Sequence, residues 1–235
     1  MARALRDRGW TCVLLARGEG RLRAVAAELG AEWELCDVGD RAAVERAAAQ
    51  IVGRHPRLSL LVNNAGVPGR GGFLPLPPER IEEVTRTNYL GGVWCLRAFL
   101  PALEAAAPSD VVNVVSVAGT VATGSAGPYT ASKHAQLAFS RATAAELRPR
   151  GVRVHSVLPG FVETEGFPQR RRFGRALRSL VVEPELVAER VLAAVERDRR
   201  EVFVPRWYRA APLVQALAPR LVAALAARGV RPSGD

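Results

Sequence analysis

Cysteine is scarce in this 235-residue chain: Cys12, Cys36 and Cys95 are the whole set, odd in number and without patterned spacing. That argues against a disulfide framework and against a zinc site, and it points to a reducing, cytoplasmic setting. Long apolar runs are missing too. Arg, Gln or Pro interrupts each of them well short of the ~18 residues that a membrane span needs. The opening Met1-Ala-Arg-Ala-Leu-Arg-Asp-Arg has no apolar core of the kind a secretory signal carries. Aromatic residues are 6% of the chain and build no extended platform interleaved with basic ones, so no stacking surface for nucleic acid is expected. Scarcest of all is lysine. Lys133 is the one lysine among 33 basic residues, and every other cation is arginine.

What is present is a globular composition, 49% hydrophobic and 24% charged, in a length that suits one α/β domain. The net charge of +10 suggests a polyanion partner only at first sight. The arginines are spread along the chain, and the clusters Arg170-Arg171-Arg172 and Arg197-Asp198-Arg199-Arg200 read as solvated faces. No nucleic-acid partner is expected. A lysine kept where all other cations are arginine marks a place that needs a compact point charge.

Short apolar runs alternate with helical periodicity along the chain. Strands are expected at Thr11–Ala16, Glu32–Cys36, Leu58–Val62, Asp110–Ser116, Val152–Leu158 and Val202–Val204. Helices are expected at Glu19–Leu29 with Gly30 as its stop, from Asp40 to about Val52, at Pro78–Ala106 with a kink at Pro101, at Tyr129–Leu147 and at Glu183–Arg197. Residues 161–182 read as irregular. This alternation implies βαβ units on a parallel, doubly wound sheet of Rossmann type, whose ligands sit at the carboxyl ends of the strands. Arg17, Asp37, Asn63-Asn64, Ser116 and Pro159-Gly160 all fall at those ends.

Tyr129-Thr-Ala-Ser-Lys133 places a phenol and an ammonium at i and i+4 on one helix face. A nearby cation favours the phenolate and is expected to lower a tyrosine pKa from ~10 toward a useful acid–base range. Ser116 can add a hydroxyl that holds a substrate oxygen. A surface Tyr and Lys on an amphipathic helix is the bland alternative.

With Asn63-Asn64-Ala65-Gly66, Asn88, Ser116, Tyr129-x-x-x-Lys133 and Pro159-Gly160 with Thr164, the chain resembles the short-chain dehydrogenases/reductases, in the branch that includes 3-oxoacyl-carrier-protein reductases. The resemblance implies an oxidoreductase that moves a hydride between a nicotinamide cofactor and a carbonyl or alcohol, with Tyr129 as general acid/base. It also implies that Lys133 tunes Tyr129 and holds the nicotinamide ribose, that Ser116 holds the substrate oxygen, and that Asn88 anchors a relay water. Asp37 and Val38 would bracket the adenine, Asn64, Ala65 and Gly66 would pack beside the ribose, and Pro159, Gly160, Val162 and Thr164 would clasp the nicotinamide amide and diphosphate. Arg17 stands where such enzymes choose their cofactor, and a guanidinium there suits a 2′-phosphate, which favours NADP(H) over NAD(H). The family often forms dimers or tetramers through two long helices, so a homo-oligomer is expected.

The family's first strand and its TGxxxGxG turn have no counterpart here, and Met1–Gly9 matches the second half of the helix that follows them. That strand is central in the family's sheet. A buried strand of about six apolar residues contributes on the order of 10 kcal/mol gross, against a whole-domain stability of ~5–15 kcal/mol. The expectation is therefore a further N-terminal stretch that carries the glycine motif, with a noncatalytic remnant unable to bind dinucleotide as the alternative. Domain organisation reads as residues 1–205 for the Rossmann-like domain and 206–235 for an amphipathic helical tail, which packs on the domain or on a sister subunit rather than on a membrane surface. Phe161, Phe167 and Phe173 could line an apolar substrate pocket with Arg170–Arg172 at its mouth, and His155 in its strand reads as structural.

Overall fold

The computed structural model describes residues 1–122, 124–164 and 181–228. Strands β1 (Val13–Ala16), β2 (Glu32–Leu35), β3 (Leu60–Asn63), β4 (Ser109–Val114), β5 (Val152–Pro159), β6 (Phe161–Val162), β7 (Val181–Val182) and β8 (Glu201–Val204) alternate with helices. The helices are α1 (Ala2–Arg6), α2 (Glu19–Leu29), α3 (Arg41–Arg54), α4 (Pro78–Thr85), α5 (Gly91–Ala105), α6 (Gly127–Leu147), α7 (Pro184–Glu196), α8 (Ala211–Leu217) and α9 (Pro219–Arg228). Local chemistry sets several boundaries. The Asp40 carboxylate accepts from the Ala42 N–H at 2.9 Å and starts α3. Gly30 ends α2 in the left-handed region at φ 57°, where a side chain would be strained. No helix among the described residues is long and apolar enough to cross a membrane.

Strand pairing is parallel throughout, in the order β3-β4-β5-β8, with β1-β2 and β6-β7 as separate pairs. Helices cover both faces. Val44 and Ile51 of α3 pack with Cys95, Leu96, Phe99 and Leu103 of α5 on one face, and Val187, Val191 and Val195 of α7 pack on the other. This is the expected doubly wound arrangement. Among the described residues no strand joins β1 to β3. A cleft of about 1010 Å³ lies between them, lined by residues 10–17 on one side and 57–67 on the other.

Two expectations are corrected. The single helix expected over Pro78–Ala106 is divided by a π turn at Arg86–Leu90, and Pro101 lies inside α5. The π turn adds a residue to the helical repeat and turns Asn88 inward, where it is 1% exposed. The segment 161–182 is not wholly irregular, because Phe161–Val162 pairs with Val181–Val182. Phe167, Phe173 and Arg170–Arg172 lie outside the described residues.

A buried polar chain ties the layers together. Asn63 of β3 donates to Asn113 of β4 at 2.9 Å, Asn113 donates to Ser140 of α6 at 2.9 Å, and Ser140 meets Ser156 of β5 at 2.7 Å. All four side chains are buried, and each desolvated group has a partner. His155 is likewise structural: it is fully buried, with Nε2 against Asp110 at 2.8 Å and Nδ1 against the Arg199 carbonyl at 2.9 Å.

The inner edges of β1 and β3 face the cleft, while β4 and β5 are paired on both sides. Backbone amides of β4 and β5 are expected to exchange hydrogen at least about tenfold more slowly than those of β1 and β3. Native-state exchange followed by mass spectrometry checks this, and equal protection would contradict the split sheet.

Candidate active site

Because the strands run parallel, their carboxyl ends share one edge of the fold, and the loops that leave them build the site. Arg17 after β1, Asp37 and Val38 after β2, and Asn64, Ala65 and Gly66 after β3 all line the cleft. Arg17 reaches toward Asp37 at 3.7 Å and Glu83 at 3.4 Å. Asp37 also accepts from the Gly39 N–H at 2.9 Å, which fixes its loop. Val38 presses against the start of α5 so closely that a Cβ at Gly91 would lie 2.8 Å from its methyl group.

A second group of residues gathers where β4, β5 and α6 meet. Ser116 sits in extended backbone just past β4. Its Oγ accepts from the Ala118 N–H at 3.1 Å and donates to the Pro159 carbonyl at 3.3 Å. It also hydrogen-bonds the Tyr129 phenol, and this draws the tyrosine pKa down. Burial outweighs that bond, so the Tyr129 pKa is raised above its ordinary value of 10. Lys133, 3% exposed, places Nζ 5.9 Å from the centroid of the Tyr129 ring. Burial lowers its pKa to about 7.

The expected depression of the Tyr129 pKa by Lys133 is therefore corrected: burial raises it instead. Desolvation favours the neutral form of both groups. The ammonium is also engaged elsewhere, donating to the Val114 carbonyl at 3.1 Å and to Gln136 Oε1 at 2.8 Å.

Asn88 joins the two groups of residues. Its side chain accepts from the Val67 N–H at 2.7 Å and donates to the Val67 carbonyl and to Ser132 Oγ, each at 3.1 Å. It thus pins the loop that follows Asn64-Ala65-Gly66 to α6. At Gly66 a Cβ would lie 3.5 Å from Asn88 Oδ1 and 3.8 Å from Lys133 Nζ, so this backbone runs directly over the buried amine. Pro159 ends β5 and Gly160 follows it. Val162 in β6 packs toward the cluster beneath α7, and Thr164 is exposed at the end of its described segment.

Sequence reasoning missed three positions. Gln136 is 2% exposed beside Lys133, and its signal was a long amide three residues from a lone lysine. Gly119 lets the loop after β4 touch α6, since a Cβ there would sit 2.7 Å from the Lys133 carbonyl oxygen. Tyr208, assigned to the tail, packs in the cluster with Val115, Val117, Leu137 and Leu158. Its ring covers Gly160 so tightly that a Cβ there would overlap it, at 2.1 Å.

Comparison with known proteins gives a consistent picture. The family described as short chain dehydrogenase matches residues 1–173. A candidate ketoacyl reductase of Streptomyces coelicolor is 36% identical over 171 residues, which cover 70% of this chain and 66% of that protein. The 3-oxoacyl-[acyl-carrier-protein] reductase of Bos taurus is 32% identical over 167 residues, covering 70% of each. The chain thus spans about two thirds of the length of these curated relatives. The alcohol dehydrogenase of Thermococcus sibiricus, solved with 5-hydroxy-NADP, superposes with a TM-score of 0.76 at 27% identity, over 86% of this chain and 88% of that one.

The buried amine has a consequence for stability. Between about pH 7 and the ordinary lysine value of 10.5 the folded chain binds fewer protons at Lys133 than the unfolded chain does. Stability therefore rises with pH through that window, by at most about 1.4 kcal/mol per pH unit. Lys133→Met is expected to remove that rise in urea unfolding measured at pH 7, 8 and 9. An unchanged slope would show that Lys133 is not desolvated.

Proposed function

The chain belongs to the short-chain dehydrogenase family, and from that premise we propose that it is an NADP(H)-linked oxidoreductase that interconverts a carbonyl and an alcohol. The observation that carries the reading is the cluster of Ser116, Tyr129 and Lys133 behind a cleft whose outer rim holds Arg17. Arg17, Asp37, Val38 and Asn64–Gly66 stand where that cleft opens at the carboxyl ends of β1, β2 and β3.

The residues present suit the two ends of a dinucleotide. Arg17 supplies a guanidinium for a 2′-phosphate, and Asp37 and Val38 flank the position of the adenine. Asn64, Ala65 and Gly66 lie beside the buried amine at the other end, and Pro159, Gly160, Val162 and Thr164 follow as the nicotinamide and diphosphate clasp. The chain has no TGxxxGxG turn to cradle the diphosphate. When bound, the nicotinamide would supply or accept the hydride.

The protein's own part is to hold the oxygen and move one proton. Ser116 Oγ turns its one O–H from the Pro159 carbonyl to the substrate carbonyl oxygen and orients it toward the phenol. Tyr129 gives that oxygen its proton as the alcohol forms, and takes it back in the oxidative direction. Lys133 faces the phenol from the helix interior, and its positive charge opposes the desolvation that keeps the proton on Tyr129. Asn88 holds the loop over Lys133. A small carbonyl or alcohol is the substrate class, and pairing of copies through the long helices α5 and α6 belongs to the same reading.

Titration of NADPH and NADH, followed by nicotinamide fluorescence, tests the reading. NADPH is expected to bind more tightly, and absence of binding by either would sink it. Arg17→Ser is expected to weaken NADPH by roughly 10–100-fold and leave NADH unchanged, as loss of a charge-assisted bond predicts. Tyr129→Phe is expected to cut carbonyl reduction by about 10²–10⁴-fold while NADPH still binds, which steady-state kinetics checks.

A further inference from the structure

Lys133 is gripped from two sides. Its Nζ donates to the Val114 carbonyl of β4 at 3.1 Å and to Oε1 of Gln136 at 2.8 Å. Gln136 stands three residues farther along α6, on the same face, and is 2% exposed. It is also the α6 residue that lines the cleft. The Gln136 amide therefore touches both the cleft and the amine.

The groups that face Lys133 come from every element packed around it. Tyr129 on its own helix is the titratable one, with its ring centroid 5.9 Å from Nζ. The Val114 carbonyl comes from β4, the Gly66 backbone follows β3, and Asn88 in the π turn spends its amide on Val67 and Ser132. None of these carries a negative charge at neutral pH, so burial alone would strip the amine of its proton. An acceptor bonded to the charged form opposes that loss. An ammonium has three N–H donors, and the two bonds above leave one for a ligand.

We propose that Gln136 is a positioning residue: with the Val114 carbonyl it fixes the Lys133 ammonium, keeps it charged and leaves its third N–H for a ribose diol in the cleft. The catalytic consequence rests on the function proposed above, whereas the hold on Lys133 does not. A hydrophobic residue of similar length at 136 would pack as well but would leave the amine with one acceptor.

Since Lys133 is the one lysine in the chain, protein labelled with [ε-¹³C]lysine gives a single lysine resonance, and its pH titration reads this amine alone. Gln136→Leu and Gln136→Met are expected to lower the midpoint by about one to two pH units. Gln136→Glu, which keeps an acceptor and adds charge, is expected to raise it. Unchanged midpoints in variants that melt like the parent would overturn the proposal. Kinetics adds a second readout: in Gln136→Leu the alkaline limb of kcat/KM moves down in pH, and the KM for NADPH rises more at pH 8 than at pH 6. A purely structural role would depress activity equally at both. If the parent chain binds no NADPH while the midpoints still shift, the hold of Gln136 on Lys133 stands and the proposed function falls. If NADPH is bound and turned over with midpoints unmoved, the inference about Gln136 falls alone.

Discussion

The seating of α6 on the sheet is the constraint from which the site follows. The Asn63–Asn113–Ser140–Ser156 chain crosses from β3 through β4 to α6 and β5 with every link desolvated. Breaking one link would strand polar groups in an apolar interior, so this register of the helix is strongly specified. Tyr129 and Lys133 lie on the helix that this chain holds. The near contact of Gly119 with the Lys133 carbonyl fixes the approach of the loop from the other side.

Much of this was legible in the residues. Apolar runs separated by helical periodicity placed the parallel strands to within a few positions, and the polar residues at their carboxyl ends gather on one edge of the fold. The Tyr129-x-x-x-Lys133 pair and Ser116 came together because i,i+4 spacing and a strand end are local properties. Other features needed the third dimension. The π turn at Arg86–Leu90 has no periodicity signature, since one inserted residue leaves the apolar pattern nearly intact. Tyr208 read as part of an amphipathic tail because its packing partner, Gly160, has no side chain to advertise the contact.

The electrostatic expectation failed for a physical reason. An i,i+4 spacing tells how near two groups are and says nothing about how dry they are. Near an exposed helix face the cation would have drawn the phenol down. In this interior the loss of hydration acts on both groups and drives them toward neutrality. The Val114 carbonyl and Gln136 hold the amine.

The near-exclusive use of arginine has a consequence for how the whole molecule responds to pH. Guanidinium groups hold their protons to above pH ~12, so the outer positive charge is constant across the alkaline range. The three thiols, all pushed up by burial and Cys95 to about 12, add little before that. A proton-release curve taken above neutrality is therefore largely a spectrum of the interior. In most proteins the signal of one buried amine would be drowned by a coat of surface lysines, and here there is no such coat.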